Sequence, residues 1–275
     1  MKALLMKALV QPNPWEELRR HTKARIALGR AGASLPTDEV LRFGLAHAKA
    51  RDAVHHPMDV QSLSQRIEAA GYRVLHARSN APDRQTYLLR PDLGRRLHAD
   101  SLPQLQQNQA KNQACTLTIV VADGLSAFAP ENHALPLLQH LQQRIHVDWS
   151  NVPVVLATQA RVAIGDEIGA ALKADLVLVL IGERPGLSSP DSLGAYLTFQ
   201  PKLGRMDSER NCVSNIHAAG MSYAQAAHKI GYLIQESLRR KYSGVELKDD
   251  SGELPWLDEG HKIDPASSSL NFRSV

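Results

Sequence analysis

Apolar positions change their period near Cys115. Ahead of it they recur mostly at helical spacing; behind it, short apolar runs alternate with amphipathic stretches. Asn13-Pro14-Trp15-Glu16 reads as a helix start, with Asn13 as cap and Pro14 at the first helical position. That helix is predicted to end near Gly29, with Trp15, Leu18, Thr22 and Ile26 on one face. A second is expected over residues 37–51, with Val40, Leu41, Leu45 and Ala48 turned inward. Asp59 caps a third, carrying Val60, Leu63 and Ile67, and Gly71 stops it. Residues 72–78 and 85–89 read as short strands around an Asn80-Ala81-Pro82-Asp83 turn. Residues 102–114 suggest a surface helix.

Beyond Cys115 the pattern predicts strands over 116–121, 152–157 and 176–181, with a further strand over 196–199. Helices over 132–145, with Pro136 in the first turn, and over 166–173 fall between the first three strands. This alternation is the signature of a parallel sheet wound with helices. Ser222-Tyr223-Ala224-Gln225 is a capping box opening a helix that Gly244 ends. The implied division is a flexible segment at 1–11, a mainly helical domain at 12–112, an α/β domain at 113–247 and a polar tail at 248–275.

At 275 residues and 43% apolar content the chain can bury a sizeable core. Two cysteines, Cys115 and Cys212, are too few for a disulfide framework, which fits a reducing cytoplasm. A net charge of +4 is mild and spread out, and only 5% of residues are aromatic, so neither a nucleic-acid stripe nor a stacking platform stands out. No apolar run is long enough to cross a membrane. Lys7 interrupts the one secretion-like stretch, at 1–10. The density of Arg19, Arg20, Lys23, Arg25 and Arg30 fits either a solvated face or a surface that docks an acidic partner.

Chemistry-bearing residues collect where strands end. The usual phosphate grips, a zinc-type His-Glu-x-x-His and a nucleophile elbow are all missing. Asp123 in Asp123-Gly124-Leu125-Ser126 fits a turn cap better than a catalytic carboxylate. What does accumulate is Gln159-Ala160-Arg161-Val162 after one strand, Gly182-Glu183-Arg184-Pro185-Gly186-Leu187 after the next, and residues 209–216 after the last. In wound parallel sheets ligands sit beyond such strand ends. Mixed apolar, carboxylate, guanidinium, thiol and hydroxyl groups there describe a pocket for a large ligand of mixed polarity.

These segments carry a resemblance. Residues 22–32, 87–97, 122–126, 182–187 and 210–216, in this order, resemble the small subunit of ethanolamine ammonia-lyase. The resemblance implies a Rossmann-like domain after a helical part, and a partner, the large TIM-barrel subunit, that holds the substrate. It implies adenosylcobalamin as cofactor, bound base-on since no Asp-x-His-x-x-Gly element is present, and radical conversion of ethanolamine to acetaldehyde and ammonia. The family's cobalamin contacts carry over to Val162, Glu183 and Cys212, with Arg161 and Ser214 as neighbours. Valine is expected to pack on the cofactor, glutamate to accept from corrin amides, and a buried Cys212 thiol to act as a small apolar wall. A hetero-oligomer in the cytoplasm follows, with packaging in a bacterial microcompartment as a family precedent. The reading from a different class is a nucleotide- or cofactor-sensing module without a large subunit.

Overall fold

The computed structural model describes residues 9–108 and 115–252. Its centre is one six-stranded sheet in the order β1-β3-β2-β4-β5-β6, built from β1 (Arg73–Arg78), β2 (Cys115–Ala122), β3 (Pro153–Thr158), β4 (Ala174–Gly182), β5 (Leu193–Phe199) and β6 (Arg210–Ile216). The first four run parallel. The last two are antiparallel to their neighbours, so the sheet is mixed rather than parallel throughout. β1 comes from the stretch before the change of period, and it pairs with β3 over its whole length.

The wholly apolar runs of β2, β3 and β4 are covered on both faces, as unbroken apolar strands require. On one face lie α2 (Val60–Ala69), α6 (Phe128–Arg144) and α8 (Tyr223–Arg240). On the other lie α5 (Ser101–Gln107) and α7 (Ile164–Ala171). α7 packs mainly on β4 and β2 and meets β6 through the Asp166–Arg210 pair, so among the described residues the part of that face around Tyr196, Cys212 and Ser214 has no helix packed over it. The remaining helices are α1 (Thr37–His55), α3 (Arg84–Leu89) and α4 (Pro91–Gly94).

Several elements follow local chemistry. Asp59 caps α2 by accepting from the Ser62 N–H at 3.0 Å. The Ser222–Gln225 capping box forms at the start of α8, which ends at Lys241 in the left-handed region rather than at Gly244. Residues 84–89 are helical, not a strand: the Asp83 carboxylate accepts from Thr86 N at 2.7 Å and starts a turn that buries Tyr87. α6 begins at Phe128, four residues before the expected start, so Pro136 lies inside the helix rather than in its first turn. Residues 210–216, expected as a loop, form the edge strand β6. The surface helix expected over 102–114 is the shorter α5, and residues 109–114 lie outside the described residues.

The amino-terminal region departs most. In place of a helix to Gly29 there is one 3-10 turn, Glu16–Arg20. Beyond it, Ala27 and Gly29 take positive φ, and Gln11 and Arg30 exchange both backbone hydrogen bonds, at 2.7 and 3.0 Å. Such a bridge cannot coexist with a helix through the same residues. The basic residues are largely engaged: Arg19 meets Glu39 at 2.9 Å and Arg25 lies over the Phe43 ring. α1 spans its predicted residues, yet Val40, Leu41, Leu45 and Ala48 point outward, and only Ala46 and Ala53 are buried. Among the described residues no helix is long and apolar enough to cross a membrane. Residues 1–8 and 253–275, which hold most of the expected leading segment and tail, lie outside the described residues.

Candidate functional site

The carboxyl ends of β2 and β3 are tied together by Asp123. Its carboxylate accepts from the backbone N–H of Gly124, Gln159 and Ala160 at 3.0, 2.8 and 2.9 Å, and Arg84 approaches it at 3.4 Å. It is almost fully buried, and burial pushes its carboxyl above the usual carboxylate range. This matches the turn-cap reading and fixes where the next loop, Gln159 to Val162, leaves β3. Gly124 and Gly182 make the backbones of β2 and β4 meet there. A side chain on Gly182 would fall 1.9 Å from the Ser126 carbonyl oxygen, and one on Gly124 would fall 2.2 Å from that of Gly182. Leu125 N donates to Gly182 O at 2.9 Å across this crossing.

Val162 precedes α7 and is half-buried against the core on that side of the sheet. Beside it the segment 87–97 forms a floor. Arg161 N donates to Gly94 O at 2.8 Å, and Gly94 is packed so closely that an added side chain would touch the Tyr87 ring and the Arg161 stem. Tyr87 donates its hydroxyl to Ala160 O at 3.2 Å, and the Arg161 guanidinium lies 4.2 Å over its ring. Two cation–π contacts, from Arg84 and Arg161, therefore hold the loop that presents Val162.

Glu183 follows β4 at the same rim, with its N–H donating to Ser192 O at 2.9 Å. Its Oε2 accepts from the Ser192 hydroxyl at 2.5 Å and from Asn215 N at 3.4 Å. Oε1 accepts no hydrogen bond from the described residues and lies over Gly194, where a side chain would crowd it at 3.0 Å. Among the described residues no ion pair joins Glu183 to Arg184, which is exposed.

Cys212 sits elsewhere than expected. It is on β6 opposite Tyr196, which pairs in turn with Val179, whereas Glu183 continues from the Gly182–Leu193 level. Three residues of strand, about 10 Å, separate these levels, so Cys212 lies on the face of the sheet rather than at the rim. It is exposed, not a buried wall. Partial burial of the sulfur still pushes the thiol up, with the nearby Glu183 charge acting in the same direction. Tyr196 links the group: burial, then Cys212 and Glu183, all raise its hydroxyl. Val162 and Cys212 share a cavity of about 250 Å³ that is also bordered by Tyr196, Arg95, Arg161 and Arg210. Ser214 is exposed one position beyond Val213, which packs into the opposite face.

The three predicted residues thus surround the uncovered face of β5 and β6 from three elements. Tyr196, Arg95 and Arg210 were not singled out from sequence. Arg95 lies inside the dense segment 87–97, whose regular motif was the available signal; Tyr196 becomes visible only once β5 and β6 are paired.

Comparison with known proteins decides the family. The model of the ethanolamine ammonia-lyase light chain matches residues 12–248. The chain belongs to the ethanolamine ammonia-lyase light-chain family. It is 55% identical over 248 residues to the small subunit from Azotobacter vinelandii, covering 90% of this chain and 92% of the relative. It is 53% identical over 241 residues to the Pseudomonas fluorescens SBW25 protein of the same name, with 87% of each covered. To the Ralstonia nicotianae small subunit it is 50% identical over 257 residues, 93% of this chain and 95% of the relative. As a light chain of this family it is a subunit of a carbon–nitrogen lyase.

Proposed function

We propose that this subunit closes over adenosylcobalamin at the interface with a large catalytic subunit, holding the cofactor and taking no part in proton transfer. The observation that carries the reading is the uncovered face of β5 and β6, bordered by Val162, Glu183 and Cys212. A corrin is broad, flat and ringed by amide side chains. The surface suits that shape: Tyr196 and Cys212 line it, and Val162 offers an apolar edge. Glu183 keeps Oε1 free while Ser192 and Asn215 hold Oε2, so the carboxylate is aimed and can accept from an amide N–H. When bound, the cofactor supplies the cobalt–carbon bond whose homolysis opens the radical reaction.

The chain's own contribution is to bind and orient the cofactor and to keep water from one side of it. The cofactor is proposed to bind base-on, keeping its own lower ligand, in line with the lack of an Asp-x-His-x-x-Gly element in the sequence. The partner is a large subunit. Among the described residues, ten of the fifteen exposed large apolar side chains lie between Leu9 and Leu45, a concentration that a partner would cover. The assembly is proposed to be cytoplasmic.

The test is Glu183→Ala in the complex with the large subunit, titrated with adenosylcobalamin by absorbance. Affinity is expected to fall about tenfold, the scale of one charge-assisted hydrogen bond, with turnover at saturating cofactor much less changed. Unaltered affinity would remove Glu183 from the site.

A further inference from the structure

Three arginines border the cavity that Val162 and Cys212 share, and they are held differently. Arg210 is buried and bidentate with Asp166, both bonds at 2.7 Å, so that pair is balanced within itself. Arg161 is half-buried and stacked on Tyr87; one terminal nitrogen donates to Tyr87 O at 3.4 Å, while its buried Nε has no hydrogen-bond partner. Arg95 is exposed, and among the described residues nothing engages its guanidinium. The one carboxylate on the lining is Asp207, whose side chain is 84% exposed and meets Arg210 at 3.5 Å. Arg95, unengaged, and Arg161, with one unpartnered nitrogen, thus bring positive charge to a single cavity, an arrangement that suits an anion.

We propose that Arg95 and Arg161 bind the phosphodiester in the nucleotide loop of adenosylcobalamin. This rests on the cobalamin reading and adds to it. Corrin side chains end in uncharged amides, so the phosphodiester is the cofactor's anionic group and the one that guanidinium groups select. Arg95 and Arg161 would then fix which end of the cofactor lies at the β3–α7 loop, while Glu183 holds the corrin edge. The Tyr87 stack holds the Arg161 plane before the ligand arrives, which lowers the ordering cost of binding.

The experiment compares two corrinoids on the assembled enzyme by absorbance titration: adenosylcobalamin, and adenosylcobinamide, which has the corrin but no nucleotide loop. Arg95→Gln and Arg161→Gln are each expected to weaken adenosylcobalamin about tenfold and leave adenosylcobinamide affinity unchanged. Arg161→Lys should recover part of the loss. Arg95 is exposed, so its variant keeps the test valid if Arg161→Gln disturbs the Tyr87 stack. Equal loss for both corrinoids, or no loss for either, overturns the proposal. Glu183→Ala is the internal control. If it weakens both corrinoids while the arginine variants are silent, the phosphodiester assignment alone falls. If all three variants leave both corrinoids untouched, the cobalamin reading falls with it. Tight binding of ATP that Arg95→Gln abolishes, with corrinoid affinity unaffected, would likewise overturn the assignment in favour of a nucleotide site.

Discussion

Two surfaces of this subunit are left uncovered by its own chain, and they differ in kind. The outer face of α1 and the segment before it expose Trp15, Leu41 and Leu45 at 67%, 66% and 56%, large apolar groups set among exposed charges such as Arg20, Lys23 and Arg42. The open face of β5 and β6 presents Tyr196, Cys212 and Ser214, bordered by Glu183 and by arginines. The first, rich in large exposed apolar side chains, suits another protein, whose apolar surface it would bury. The second is mixed and edged with aimed polar groups, which suits a large cofactor. Both carry an amphipathic or alternating sequence pattern, so the pattern alone tells which side chains share a face. It does not tell what covers that face.

The core supplies the reference for testing this contrast. Leu141→Ala, in the last turn of α6 and fully buried, should cost the isolated chain about 2–5 kcal/mol by denaturant unfolding. Leu41→Ser on α1 should change the same measurement by less than about 0.5 kcal/mol, yet impair co-purification with the large subunit. Equal destabilisation by both would mean that α1 is packed by its own chain and would remove the distinction.

A finer test uses the two cysteines. Burial holds both thiols above the ordinary range, Cys115 as well as Cys212. A raised pKa means less thiolate at a given pH, so alkylation of either should be slow at neutral pH and accelerate as the pH is raised beyond the usual thiol range. In the assembled enzyme adenosylcobalamin should protect Cys212 and leave Cys115 unchanged, as read by mass spectrometry. Protection of Cys115, or none at Cys212, would place the cofactor on a different surface.

The smallest effect belongs to a region on neither surface. Arg239 and Arg240 hold the Glu236 carboxyl down at about 2 by hydrogen bonding, ahead of any burial. A lowered folded value means that this cluster's contribution is present above the ordinary glutamate range and fades as the pH falls toward 2. Glu236→Gln should leave both assembly and corrinoid affinity as they are, with a small loss of melting temperature at neutral pH that vanishes in acid.

Residues that decide their own local conformation were legible. The apolar runs of β2, β3 and β4 and the caps at Asp59 and Ser222 depend on neighbours in sequence. Val162 and Glu183 lie in strand-end loops where they were expected. The helix once expected through Trp15 and Ile26 was not legible in this way. Its cap is present in Asn13, but the backbone pairing of Gln11 with Arg30 competes with it over a distance that periodicity cannot see. Gln85 to Leu89 looked extended because the requirement to bury Tyr87 beneath Arg161 comes from a loop far along the chain.

By itself, then, the sequence determined the family, the alternation of buried strands with helices, and most of the residues that border the site. Tertiary structure decided the rest: that β5 and β6 turn antiparallel, that Cys212 lies on an open sheet face instead of inside the core, that Arg95 joins Arg161 at one cavity, and that the apolar side of α1 looks outward. The physical reason is the same in each case. Helix and strand patterns specify a side, through forces acting over a few residues. Which side meets the chain, the cofactor or a partner depends on contacts between segments far apart in sequence.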